Sequence, residues 1–162
     1  MTPRKKTEDS VFWGWSRAAA VFVIGAVVGF ATNYWVSYRS DYRSDLEARL
    51  SAFSELNTEV SDHLRTLFEV AEGERQKRPE DVEALRKSLY DSVTEAQTLS
   101  ARIGNTDTLL AMYQDAAVAL QSASQKVTGP LDASPLMEAA SDYLVAERQL
   151  REAALGSYKS IL

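Results

Sequence analysis

From Ala18 to Val36 the chain reads nineteen residues without a charged side chain. As an α-helix such a run is about 28 Å long, close to the ~30 Å hydrocarbon core of a bilayer. Trp13 and Trp15 lie before it, and Tyr34, Trp35 and Tyr38 close it. Amphipathic rings prefer the headgroup level, so these residues read as an aromatic belt at each interface. Arg17 is placed to snorkel to the nearer surface. A cleaved signal peptide also joins a basic start to an apolar middle. Here, however, no small-x-small site follows the run, which ends in Asn33-Tyr34-Trp35. The expected organisation is therefore a basic tail over 1–11 and an uncleaved signal anchor over 12–37. Gly25 and Gly29 form a GxxxG pair. The pattern suits close contact between membrane helices, although small residues are common in such helices anyway.

Charge sets the expected orientation and narrows the partners. Residues 1–17 carry Arg4, Lys5, Lys6 and Arg17 against Glu8 and Asp9, a net of +2. The remainder holds 18 − 4 = 14 basic and 23 − 2 = 21 acidic residues, a net of −7. The excess of basic residues before the anchor favours a cytoplasmic N-terminus. The rest would then lie outside the plasma (inner) membrane, in the periplasm of a Gram-negative cell. An acidic domain repels phosphate backbones, so nucleic acid is not an expected partner. The chain has no cysteine, which removes disulfides, thiolate chemistry and thiolate metal sites.

Beyond a junction at 38–45, the segment 46–162 is punctuated as four helices. Gly73, Gly104 and Gly129 each follow an amphipathic stretch, where a left-handed residue ends a helix. Pro79, Pro130 and Pro135 fall at the boundaries, and Ser134 before Pro135 suits a helix start. Asn105, Thr106 and Asp107 are candidates to cap the third helix. The predicted helices span about 44–72, 80–103, 106–128 and 135–160.

Each helix carries an apolar seam in steps of three and four, the mark of left-handed helix packing. The first seam runs through Leu46, Leu50, Phe53, Asn57, Val60, Leu64, Leu67 and Ala71. The second runs through Val82, Leu85, Leu89, Ser92, Ala96, Leu99 and Ile103. The third has Leu109, Tyr113, Ala116, Leu120, Ala123 and Val127. The fourth has Leu136, Ala140, Tyr143, Ala146, Leu150, Ala154, Tyr158 and Ile161. Four helices of similar length with short links predict an all-α, antiparallel up-down-up-down four-helix bundle. Asn57 interrupts the first seam. It either locks register from inside or yields its place to Leu56 and sits at the rim, and the rim is the expectation.

No proline or glycine falls between Phe30 and Glu72, so the membrane helix is expected to continue into the first bundle helix unless Ser44 or Asp45 caps a new one. The repeat Tyr38-Arg39-Ser40-Asp41, Tyr42-Arg43-Ser44-Asp45 stacks like on like at i, i+4. Arg39 and Arg43 become candidates to meet lipid phosphates. Otherwise the repeat is an accidental duplication on a solvated face.

Catalytic chemistry finds little support. His63 is the sole histidine, with Glu59 on its face, whereas di-iron carboxylate bundles use two Glu-x-x-His pairs. Neither a Gly-x-Ser-x-Gly elbow nor a glycine-rich phosphate loop occurs. Glu80 and Asp81 suit the dipole at a helix start. Glu72 and Glu74 mark a helix end, and the basic loop Gly73–Arg78 reads as solvated. A non-enzymatic protein without metal or cofactor is expected.

In helix layout alone, residues 12–162 resemble the four-helix periplasmic sensor domain of bacterial chemoreceptors, whose first membrane helix continues into the bundle. That resemblance implies a small-molecule site between helices. In the receptors the fourth helix continues into a second membrane span, whereas this sequence ends at Leu162, so a signal is expected to leave through a partner or the N-terminal tail. The leading expectation is an interaction or scaffold subunit of a cell-envelope membrane complex, contacting lipid, other envelope proteins and copies of itself. A ligand sensor is the alternative, and an envelope-acting toxin, phage or defence factor the second alternative.

Overall fold

A computed structural model describes the backbone of residues 8–160, and the side chains of Ala26 and of residues 28–159. Four α-helices account for most of it: α1 Glu8–Ala71, α2 Pro79–Ile103, α3 Asp107–Lys126 and α4 Ala133–Ser160. A 3₁₀ turn, Pro130–Asp132, links α3 to α4. No strand occurs among the described residues. The chain divides into two compact units, Met1–Tyr42 and Arg43–Leu162.

In the first unit the described side chains, including Phe30, Tyr34, Trp35 and Val36, are exposed, except Arg39 and Tyr42, which are half-buried. Among the described residues no helix is long and apolar enough to cross a membrane. Most of the first half of the uncharged run, Ala18–Gly25 and Val27, lies outside the described side chains, as do Trp13, Trp15 and Arg17.

The second unit is a helical bundle whose directions follow from paired residues. Asp45 and Arg49 at the start of its first helix meet Arg102 and Glu95 near the end of α2, at 2.9 and 3.6 Å, so α1 and α2 are antiparallel. Lys77, just before α2, donates to the Gln125 carbonyl near the end of α3, while Ser100 meets Thr106 at the other end. Arg43 bonds Tyr158, and Asn57 bonds Tyr143, which sets α4 against α1. The core is built from the seams: Leu46, Phe53, Val60, Leu64 and Leu67 from α1, Leu85, Leu89 and Leu99 from α2, Tyr113 and Leu120 from α3, and Leu136, Tyr143 and Leu150 from α4 are all buried. Of the alanines at the remaining seam positions of α3 and α4, Ala116, Ala140, Ala146 and Ala154 are buried too, while Ala123 is half-buried. Small side chains there let the two backbones pack closely.

Several local expectations are corrected. Asn57 is 7 % exposed and faces the core, while Leu56 is only half-buried. The steps Phe53–Asn57–Val60 keep the seam's rhythm, so turning Leu56 inward would have cost Phe53 and Val60 their places. Ser44 and Asp45 lie inside α1 and cap nothing. Gly73 and Gly104 adopt the left-handed φ expected of helix ends, 80° and 73°, but Gly129 does not, with an extended φ of 174°. At that third link the turn is organised by Asp132. Its Oδ2 accepts hydrogen bonds from Thr128 N (2.7 Å), Thr128 Oγ1 (2.8 Å) and Gly129 N (3.2 Å). Ser134 falls inside the first turn of α4, which begins at Ala133.

Candidate interaction surfaces

The bundle interior contains one polar layer, and each helix contributes one side chain to it. Asn57 Oδ1 lies 2.9 Å from Tyr113 OH and 2.6 Å from Tyr143 OH. The two phenol oxygens are 2.6 Å apart, and Ser92 Oγ is 3.2 Å from Tyr143 OH and 2.9 Å from the Leu89 carbonyl. Asn57 Nδ2 donates to the Phe53 carbonyl at 2.7 Å. The Phe53 and Tyr113 rings meet edge-on at 5.5 Å, and the two tyrosine rings lie 5.2 Å apart.

Three hydroxyl protons serve five contacts here, because each phenol and each serine hydroxyl has one proton to give. The shortest gaps need a proton most, since two oxygens at 2.6 Å repel without one. The favoured chain is therefore Tyr113 to Tyr143 to Asn57, with Ser92 turned to the Leu89 carbonyl. Burial raises the pKa of both phenols above the ordinary tyrosine value. Both are neutral at any biological pH. Among the described residues no buried side-chain nitrogen or oxygen lacks a hydrogen-bond partner. The layer is thus satisfied by its own members together with the Phe53 and Leu89 carbonyls.

One turn beyond Tyr143, Glu147 is buried beside Arg151, 3.4 Å away. Desolvation raises its pKa above the usual carboxylate range, and Arg151 and Arg148 only partly oppose this. His63 is half-buried in α1. Among the described residues no group of three His, Cys, Asp or Glu side chains is arranged to hold a metal ion.

The outer faces offer more room. Between α2 and α3 runs a groove of about 730 Å³, floored by Ala84, Leu89 and Ala117 and walled by Tyr90, Val93 and Val118. Tyr90 and Val118 stand 72 % and 66 % exposed. Its charged lining residues already have local partners: Arg86 with Glu83, and Lys87 with Asp91. Between α1 and α4, two hollows of about 450 and 680 Å³ share Phe68, Glu72, Ala140 and Leu144 and form one continuous depression. Met137, Leu144 and Val145 are exposed along it.

The basic loop after α1 is not simply solvated. Arg75 pairs with the buried Asp81 at 2.9 Å, and Lys77 reaches the Gln125 carbonyl at 2.8 Å. Asp81 also accepts the Arg78 backbone N–H at 3.1 Å, which caps the start of α2.

The residues singled out from the sequence are distributed unevenly. Tyr34, Trp35 and Tyr38 are exposed, and the Arg39 guanidinium stacks over the Trp35 ring at 4.6 Å. Arg43 turns to α4 instead: its Nε donates to Tyr158 OH at 2.8 Å and its guanidinium lies 4.9 Å from that ring. A side chain at Gly29 would meet nothing within 4 Å, whereas Gly25 lies outside the described side chains. Sequence reasoning missed both grooves. Their signal was a second apolar stripe beside each seam: Tyr90 and Val93 on α2, Val118 on α3, Met137, Leu144 and Val145 on α4.

Compared with protein-family models, with curated proteins and with solved structures, the chain matches none.

Proposed function

We propose that the chain is a non-enzymatic, membrane-anchored helical-bundle protein that works through its outer faces, as an interaction or scaffold subunit of a cell-envelope membrane complex. One observation carries this reading. The interior polar groups are spent on one another, while large apolar side chains stay outside along two grooves. Grouped exposed apolar residues mark binding surfaces far more often than isolated ones do.

The anchor is supported by the uncharged run Ala18–Val36 and its flanking aromatic residues. In this reading Trp13, Trp15, Arg17, Tyr34, Trp35, Tyr38 and Arg39 contact lipid headgroups, Arg43 is engaged by Tyr158 of α4 instead, and Gly25 and Gly29 admit a neighbouring membrane helix. The stacking of Arg39 on Trp35 suits an interfacial pair. The N-terminus lies in the cytoplasm and the bundle outside it.

The test is affinity capture of the full-length protein from native membranes after mild crosslinking. A stoichiometric membrane complex is expected, and Tyr90→Lys combined with Val118→Lys should weaken its recovery. Release of the protein by alkaline carbonate, without detergent, would sink the anchor. Recovery of the protein alone, with melting that responds to a small molecule, would replace the scaffold with a ligand sensor.

A further inference from the structure

The groove between α1 and α4 differs from the one between α2 and α3 in how its charges are placed. Two of its ion pairs are internal: Arg65 with Glu69 at 3.8 Å, and Glu147 with Arg151 at 3.4 Å. What remains is segregated. Glu72 and Glu74 line the end where α1 has stopped, and Arg148 lines the α4 wall. Arg148 lies fifteen residues beyond the first residue of α4, or about 22 Å along that helix. The surface between them is largely apolar, made by Phe68, Met137, Ala140 and Leu144 with Ser141 among them.

A trough between two packed helices has the width to receive a third, whose side chains at i, i+4 and i+7 fill the gaps between those of its hosts. The charge distribution narrows which helix this is. A uniformly acidic one meets Glu72 and Glu74 unfavourably, and a uniformly basic one meets Arg148. We infer that the α1–α4 groove docks an amphipathic helix of a partner protein whose apolar stripe is bounded by basic residues at one end and acidic residues at the other. This deepens the scaffold reading above and rests on it.

Three synthetic helical peptides with one shared Leu/Ala stripe test the inference. One carries Lys at one end and Glu at the other, one carries Lys at both ends, and one carries Glu at both. Binding to the full-length protein in detergent is read by fluorescence anisotropy at low salt. The bipolar peptide should bind roughly fivefold more tightly than either uniform one, a margin of the size exposed charge pairs supply and one that shrinks as salt is added. Arg148→Glu should transfer the preference to the peptide with Lys at both ends, and Leu144→Lys should abolish binding of all three. Equal affinities for the three peptides, no detectable binding, or a preference indifferent to Arg148→Glu would each overturn the inference. A native complex captured intact despite such a result would leave the scaffold reading standing and remove only this groove from it.

Discussion

Asn57 shows how one residue ties four helices together. Its carboxamide oxygen lies 2.6 Å from Tyr143 OH and 2.9 Å from Tyr113 OH, the point at which the buried phenols converge. Asn57→Ala should take away the acceptor of the Tyr143 hydroxyl in the core and lower unfolding stability by about 1–3 kcal/mol, read from urea denaturation of the full-length protein in mild detergent. Tyr143 is the hub of the proton chain, donating to Asn57 and accepting from Tyr113. Tyr143→Phe should therefore cost more than Tyr113→Phe, and a double-mutant cycle between them should show coupling of about 0.5–3 kcal/mol. Equal, additive losses would mean that the two phenols act independently. Glu147 poses the opposite problem, because burial makes its charged form unwelcome. The folded protein holds this proton more tightly than the unfolded chain does. Its contribution to stability is therefore fully present below the ordinary carboxylate pKa and is lost as pH rises through the raised folded value. Glu147→Gln removes that loss. The variant should melt near the parent's temperature in acid and above it at neutral pH, and a gap that stays constant with pH would refute the argument.

At the scale of elements, the three links between helices are held by three different devices. Gly73 and Gly104 supply left-handed residues, and Asn105 joins Gly104 with a φ of 53°. The third link relies on the Asp132 carboxylate gathering the Thr128 and Gly129 donors. Those hydrogen bonds, Thr128's first among them, hold the Asp132 pKa below the usual carboxylate value. The contrast yields a paired test. Gly104→Ala should cost about 1–2 kcal/mol, since a Cβ disfavours positive φ. Gly129→Ala should be nearly neutral, because its backbone is extended and its surroundings are open. Thermal melting of the two variants checks this, and similar losses would contradict it. The ion pairs on the helix surfaces, such as Arg86–Glu83 and Lys87–Asp91, are exposed and contribute little to stability.

For the whole molecule, the saturated interior and the apolar grooves together favour a protein that presents surfaces. A bundle that has satisfied its own polar core gains nothing from rearranging it. Its free energy for binding lies in the apolar area still in water along α2–α3 and α1–α4, at about 25 cal/mol per Å² covered. The proposed topology has its own test. A reporter enzyme fused after Leu162 and active only outside the cytoplasm should be active, and activity of a cytoplasm-only reporter at the same position would reverse the orientation.

The sequence alone determined the helices, their approximate ends and most of the core. A period near 3.5 residues can be satisfied only by helices that share one apolar face, and Leu85, Leu120 and Leu150 fall on it wherever the seam is started. Left-handed glycines at 73 and 104 were legible because few other residues tolerate that backbone. The polar layer was not legible as a unit. Asn57 stands 56 residues from Tyr113 and 86 from Tyr143, and only the relative height of three separate helices brings them within hydrogen-bond reach. The same is true of the grooves. An apolar residue beside a seam is ambiguous until the neighbouring helix either covers it or leaves it open, and that choice belongs to packing.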